Sequence, residues 1–210
     1  FVHPSLWRQI NHDIQKTMTN KQMMYLEIHN EKDGVKTFSA NTRYDWYVLY
    51  NIECIGETDI KDEDGILTKV NINKMNFIPN SKFSIIVEIT SSKKKVDILH
   101  SESFYEPRKE WMSGKKDGEY IYPCIYSINK QNIPSFKYSK INNKGHFGIS
   151  KVIWGGGATG FIIDENGEYG MTQWASAITD KVSNLKQIKD AMESKDFQNL
   201  IKAISVSKQE

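Results

Sequence analysis

The residues best equipped for chemistry with a polyanion lie between Ser101 and Lys116, SESFYEPRKEWMSGKK. Tyr105, Arg108, Lys109, Trp111, Ser113, Lys115 and Lys116 bring cations, hydroxyls and aromatic rings into one loop or short helix. Arginine can grip guanine through two hydrogen bonds, lysine and serine can hold phosphates, and aromatic rings can stack on bases or pack on sugars. The competing reading is a surface turn with Trp111 tucked into the core. Just upstream, Lys93-Lys94-Lys95 reads either as phosphate contacts, Lys94 among them, or as a solvated helix end placed favourably for the helix dipole.

A second stretch, Lys144–Ile178, is rich in glycine, and it places His146 and Lys151 beside short apolar runs. Gly155-Gly156-Gly157 and Gly160 invite a nucleotide reading, which the neighbouring residues oppose. A phosphate-binding P-loop needs Gly-Lys-Ser/Thr after its spacer, and none follows. A dinucleotide fold needs a helix after the glycines, whereas the strand-like FIID follows here. A flexible connection between two strands is the expected role.

No catalytic constellation stands out. His3, His12, His29, His100 and His146 are scattered, and none has metal-ligand spacing to a cysteine or a second histidine. Asp59–Gly65 is acidic but lacks the ligand register of a calcium loop and reads as a solvated turn. Asp164, Glu165 and Glu168 flank Asn166-Gly167 and read first as hairpin-turn residues. Glu88 precedes a lysine run without the acid-x-lysine order of a nuclease strand. Cys54 and Cys124 are expected as reduced thiols of a cytosolic protein.

Net charge is +2, unevenly spread. Residues 1–92 carry 10 basic and 12 acidic side chains, residues 93–151 carry 12 and 6, and residues 152–210 carry 6 and 8. A basic middle between mildly acidic flanks suits a side that faces a polyanion, although a lysine-rich surface alone gives the same surplus. No apolar run of about 18 residues exists, so no membrane span is expected. The first residues, FVHPSLWRQINHD, lack the order of a signal peptide, and the absence of an initial Met suggests a piece of a longer protein. The expected compartment is the cytoplasm, of bacterial or large-DNA-virus origin.

The elements that must position these residues can be read in outline. Leu6, Ile10, Ile14 and Met18 recur every four residues and predict a helix from Pro4 to about Thr19. Met23–Ile28 and Val35–Phe38 predict a hairpin around residues 30–34, and Tyr44–Tyr50 a strongly β-forming strand. Ile66–Ile72 and Val96–His100 read as strands. A helix is expected after Pro79, capped by Asn80 or Ser81. Tyr120–Ile128 and Ser135–Tyr138 predict a strand pair. Val152–Trp154 and Phe161–Ile163 predict two more strands in a meander that the Asn166-Gly167 hairpin continues. Asn184–Met192 and Lys195–Ile204 predict two amphipathic helices. Without repeats or a linker, the expectation is one α+β domain over 1–210: a mixed, largely antiparallel sheet with peripheral helices and a C-terminal two-helix tail.

The segments FSANTRYDWYVLYN, HSESFYEPRKEWMS, YIYPCIYSINK, YSKINNKGHFGISKVIWGGG and IIDENGEYGMTQWASAI resemble the C-terminal half of adenine-specific DNA methyltransferases of the fused type II restriction–modification kind. The resemblance covers roughly Thr37 to Leu200, and its most specific elements are GHFG-x-x-K-V-I and Y-G-M-T-Q. It implies a target recognition domain that reads double-stranded DNA, while a separate N-terminal catalytic domain of the same chain binds S-adenosylmethionine and methylates adenine N6. The Asn-Pro-Pro-Tyr-type and glycine-bearing motifs of that catalytic domain are not in this sequence, so no cofactor is expected here. The triple-glycine loop departs from the pattern, since polar side chains are expected there in relatives.

On this reading Lys and Arg of 93–151 neutralise phosphates. Arg108, Lys109 and Ser113, with His146 and Lys151, read base edges. The alternative is a protein-interaction or assembly domain using Trp7, Trp111, Trp174 and the two-helix tail. A free-standing nuclease or hydrolase is a third.

Overall fold

The computed structural model describes residues 1–93, 96–100 and 103–206. The fold is α+β, with three mostly antiparallel sheets and five α-helices among the described residues, two of them near the C-terminus. The described residues divide into two compact units, one of Phe1–Ser92 joined by residues 199–206, the other of Lys93–Gln198. The charge balance shifts at this point, from 10 basic and 12 acidic side chains over residues 1–92 to 12 and 6 over residues 93–151, but no linker or repeat marks a boundary, and the expectation is a single domain.

The first unit is a five-stranded sheet of β1 (Val2–Pro4), β2 (Lys21–His29), β3 (Tyr44–Glu53), β4 (Thr58–Lys61) and β5 (Leu67–Val70), in the order β1-β3-β2-β4-β5. Only β2 and β4 run parallel. Its core gathers Trp7, Met23, Leu26, Ile28, Tyr47, Ile60, Ile72, Ile78 and Phe83. Strand alternation on β3 buries Tyr47 and leaves Trp46 and Val48 open, as a sheet packed on one side requires.

The helix expected over Pro4–Thr19 is broken. β1 leads into a 3-10 turn at Ser5–Arg8, and α1 spans only Gln15–Thr19. Leu6 and Ile10, half of the predicted apolar stripe, are exposed, whereas Trp7 and Arg8 are fully buried. The reason is a long-range polar cluster. Asp45 Oδ2 accepts from Trp7 Nε1 at 2.9 Å and from Arg8 Nε at 2.8 Å. The rest of the guanidinium donates to the Ile78 and Pro79 carbonyls and to Asn80 Oδ1. Five hydrogen bonds from two adjacent residues to four acceptors outweigh the apolar repeat.

The predicted 23–38 hairpin is also replaced. β2 is present, but its intended partner is α2 (Glu31–Phe38). Asn30 Oδ1 accepts from the Lys32 and Asp33 amides, and Glu31 and Asp33 fill the first turn, so a polar run read as a turn starts a helix. Gly34 is required within α2, because a Cβ there would lie 1.9 Å from the Thr42 carbonyl oxygen.

The helix after Pro79 is α3 (Phe83–Ser91), but neither Asn80 nor Ser81 caps it. Lys82, in a left-handed conformation, precedes the helix, and Asn80 is spent on Arg8 and on the carbonyls of Lys202 and Ser205. In the acidic turn, Asp62 Oδ1 accepts from the Asp64 and Ile66 amides, which closes the β4–β5 connection.

The second unit has two four-stranded sheets. One has the order β11-β10-β13-β6, from β6 (Ile98–His100), β10 (Lys151–Gly155), β11 (Phe161–Asp164) and β13 (Ala175–Thr179), all antiparallel. The other has the order β12-β8-β9-β7, from β7 (Met112–Ser113), β8 (Tyr122–Ile128), β9 (Pro134–Ser139) and β12 (Gly170–Met171). Ile125, Ile128, Ile153, Met171, Ala175 and Ala177 form the core that the two sheets share. On the opposite side of β10 and β11, Val152 and Phe161 pack with Leu185 and Met192 of α4 (Val182–Glu193) and with Phe197 of α5 (Lys195–Ile204). Both C-terminal helices and the β8–β9 and β10–β11 pairs therefore follow the sequence reading.

Asn166-Gly167 does not make a hairpin. After β11 the chain enters β12, which pairs in parallel with β8 in the other sheet. The Asp164 carboxylate directs this crossover by accepting from the Glu168 amide at 2.8 Å and the Tyr169 amide at 3.0 Å.

Candidate nucleic-acid interface

The basic, aromatic stretch of the sequence folds into a loop built around Tyr105. Tyr105 is fully buried with Met112 and Cys124, and Phe104, Trp111, Ile141 and Phe147 pack against them. Its hydroxyl oxygen lies 3.1 Å from the carbonyl oxygens of both Ile141 and Lys144, and it accepts from the Lys144 amide at 3.3 Å. One phenol thus ties the 103–112 loop to the 140–147 loop. Burial pushes this phenol up to about 12 and the Cys124 thiol likewise to about 12, so both stay neutral at physiological pH. The ring lies against Gly145, whose φ is +65°, and a Cβ there would meet Tyr105 Cε2 at 2.0 Å.

Around this anchor, lysines lie on aromatic rings. Lys109 Nζ is 5.9 Å from the Trp111 ring centre and Lys144 Nζ is 5.6 Å from that of Phe104. The Phe104 and Trp111 rings are 5.3 Å apart, and Trp111 Nε1 donates to the Phe104 carbonyl. Lys140 Nζ sits 4.8 Å from the Tyr120 ring centre and pairs with Glu119 at 2.8 Å. That carboxylate raises the Lys140 ammonium, while the ammonium lowers Glu119. Two further bonds join this group to the loop: the Lys140 amide donates to the Trp111 carbonyl, and the Tyr120 hydroxyl to the Glu110 carbonyl. A fourth such pair, Lys137 over Tyr126 at 5.0 Å, lies on the β8–β9 pair. A cation resting on a ring keeps N–H donors free for an anion and is held in place by about 0.5–1 kcal/mol.

The expected site residues divide by burial. Arg108 is exposed, its side chain 88% open, and pairs with Glu106. Lys109 and Lys115 are exposed, Trp111 and Ser113 are half-buried, and Ser113 Oγ accepts from the Lys115 amide at 3.1 Å. These five belong to one loop and its short strand β7. Tyr105 is inaccessible to DNA, because its ring is buried and its hydroxyl is engaged within the chain.

Lys151 is likewise an internal residue. Its ammonium is fully buried, 2.6 Å from Asp164 Oδ2, and donates to the His146 and Ile149 carbonyls at 2.9 and 3.0 Å. Burial lowers its pKa, and Asp164 works in the opposite direction. His146 is half-buried, holds φ +64°, and places Nε2 2.8 Å from the His100 carbonyl oxygen. Neither Lys151 nor the His146 Nε2 is therefore available to base edges in this arrangement. Lys94 lies outside the described residues.

Sequence reasoning included Lys140 and Lys144 only within the general basic surplus of residues 93–151 and missed their ring partners Phe104 and Tyr120. The signal was present as aromatics and lysines in SESFYEPRK, GEYIYP and SFKYSKINNK, but the pairing is across loops. Of the residues offered for a protein contact, Trp7 is fully buried, Trp111 is half-buried, and Trp174 is 56% exposed.

Among the described residues no group of three or more His, Cys, Asp or Glu is placed to hold a metal. No described helix is long and apolar enough to cross a membrane. Both cysteines are free thiols. No protein-family model and no curated protein sequence matches the chain.

Proposed function

We propose that this chain is a DNA target recognition module of an adenine-N6 methyltransferase of the restriction–modification type. In the parent protein a separate N-terminal catalytic domain would bind S-adenosylmethionine and act on DNA in the cytoplasm. The observation that carries the reading is the ring-mounted lysine cluster, Lys109, Lys140 and Lys144, beside the exposed Arg108. Lysines fixed at defined positions suit phosphate neutralisation, and an exposed guanidinium that can leave Glu106 suits bidentate reading of a guanine edge. The resemblance of the motifs to that enzyme class supplies the adenine-specific part of the proposal. Salt-dependent affinity would come from the lysines, and sequence discrimination of about 1–3 kcal/mol per good base contact from Arg108 and its neighbours.

The test is titration of the purified chain against a pool of random duplex DNA at two salt concentrations, with sequencing of what is retained. A short enriched motif and affinity that falls steeply with salt are expected. Replacing Lys109, Lys140 and Lys144 together with Ala should weaken all sequences about equally and reduce the salt slope by roughly 3, one unit for each lost phosphate contact. Arg108→Ala should instead flatten the enriched motif. No binding at either salt, or a triple variant that binds as the parent does, removes the proposal.

A further inference from the structure

Glu106 is placed to hold Arg108. It follows the buried Tyr105, and its backbone is fixed on both sides. The Glu106 amide donates to the Ser103 carbonyl at 3.2 Å, and its carbonyl accepts from the Lys109 amide at 3.0 Å. Pro107, whose ring fixes its φ, is the one residue between Glu106 and Arg108. The Glu106 side chain is only 17% exposed, against 88% for Arg108. A well-covered carboxylate on an anchored backbone therefore grips a guanidinium that otherwise stands in solvent. One oxygen, Oε1, accepts from Arg108 Nε at 2.5 Å and also pairs with Nη2. Nε and Nη2 form one edge of the guanidinium fork. Glu106 leaves the other edge, Nη1 with the second hydrogen of Nη2, unused.

We infer that Glu106 is a positioning residue that makes Arg108 selective for a neutral acceptor, a guanine edge, over a phosphate. The inference rests on the DNA-binding reading proposed above. Two effects combine. Held along one edge, the fork is aimed, and its other edge can meet O6 and N7 of guanine as a pair. Arg108 can leave Glu106, but for this contact it need not. The second effect is repulsion. A phosphate approaching Arg108 brings its charge up to the Glu106 carboxylate, whereas guanine brings none. Selective interfaces use such a repulsive element as well as attractive contacts. The Lys140–Glu119 pair differs, because the Glu119 side chain is 77% exposed and can swing aside when a phosphate arrives. Burial and a fixed backbone deny Glu106 that movement.

Binding of the whole chain to its enriched duplex and to random duplex, each over a salt series, tests this. Glu106→Gln keeps the size of the side chain and an accepting oxygen but removes the charge. It should raise affinity for random duplex about fivefold, the size of one unit-charge contact in water. The salt slope on random duplex should steepen by about one, as Arg108 takes up a phosphate. Affinity for the enriched duplex should not gain in the same way, because Arg108 already lies on a base there, so the ratio of target to random affinity falls. Glu110→Gln removes an exposed carboxylate of the same loop and should raise both affinities together, keeping the ratio. In an Arg108→Ala background, Glu106→Gln should leave the ratio unchanged. Loss of a merely structural residue would weaken both DNAs without steepening the slope. A ratio and slope that stay constant in Glu106→Gln, or that change equally without Arg108, overturn the inference and leave the DNA-binding reading standing. A parent chain that enriches no motif removes both.

Discussion

Among the described residues each unit has one fully buried ion pair, and the two are built differently. In the first, Arg8 and Asp45 are both fully buried, but the guanidinium has three further oxygen acceptors, while Asp45 Oδ1 has no hydrogen-bond partner among the described residues. Burial accordingly raises the Asp45 carboxyl, against the pull of Arg8. In the second, the Asp164 carboxylate serves Lys151 and two backbone amides, and the Lys151 ammonium has all three of its donors satisfied. In both, the charge pins an irregular segment that apolar packing alone would leave loose. Arg8 holds the 78–80 turn, while Lys151 holds the 146–149 loop and Asp164 the 168–169 turn.

The comparison predicts unequal costs. Removing one partner of a buried pair typically costs about 3–5 kcal/mol, because the other charge stays buried. Asp164→Ala should reach that range, since it strands Lys151 and orphans the Glu168 and Tyr169 amides. Asp45→Ala orphans Trp7 Nε1 and Arg8 Nε but should cost less, because Arg8 retains three oxygen partners against two for Lys151 and an unsatisfied carboxylate oxygen is removed with the side chain. Urea unfolding, followed by hydrogen exchange on peptides from each unit, measures both. Equal losses, or a larger loss for Asp45→Ala, would end the argument that partner number sets the cost.

Alkaline pH gives a second contrast: Tyr25 and Tyr47 of the first unit are also raised by burial, but only Tyr105 and Cys124 of the second reach about 12. Tyr105 and Cys124 have raised pKa values in the folded second unit, so the folded state holds their protons more tightly than the unfolded chain does. Their contribution is complete below the ordinary thiol value of 9.0, and it declines as pH rises through the interval up to about 12. Hydrogen-exchange protection of peptides spanning 103–112 and 140–147 should therefore fall between those limits. A Cys124→Ala, Tyr105→Phe variant should flatten that fall, at the cost of the Tyr105 bonds to the second loop. Unchanged pH dependence in the variant would assign the alkaline loss to other groups.

These contrasts also explain what the sequence could and could not convey. Local and apolar features were legible: β3, the β8–β9 and β10–β11 pairs, α4 and α5 all rest on side-chain period or turn residues inside a short window. What failed depended on distant polar partners. Trp7 and Arg8 look like residues of a continuous helix until Asp45, 38 and 37 residues away, claims them. Asn166-Gly167 looks like a hairpin until Asp164 draws the following amides into a crossover. The candidate interface shows the same division. Its composition and the exposed Arg108–Lys115 loop were readable. That Tyr105 and Lys151 point inward was not, because each is of a type that serves equally well at a surface. For Tyr105 the deciding partners, Ile141 and Lys144, lie 36 and 39 residues on.

The smallest effect tests whether a polar start signal in the first unit behaves as its geometry requires. Asn30 joins β2 to α2 and accepts two amide hydrogen bonds, at 2.9 and 3.2 Å, that no backbone carbonyl could supply at a helix start. Asn30→Ala should destabilise the first unit by about 1 kcal/mol, and Asn30→Asp should be neutral or slightly stabilising, since a carboxylate keeps both bonds and complements the helix dipole. The Lys32 and Asp33 amides should exchange faster in the Ala variant alone. If Ala and Asp behaved alike, the two hydrogen bonds would not be what converts this apparent turn into a helix, and the exclusion of the β2 hairpin would have to come from the close packing of Gly34 against Thr42 instead.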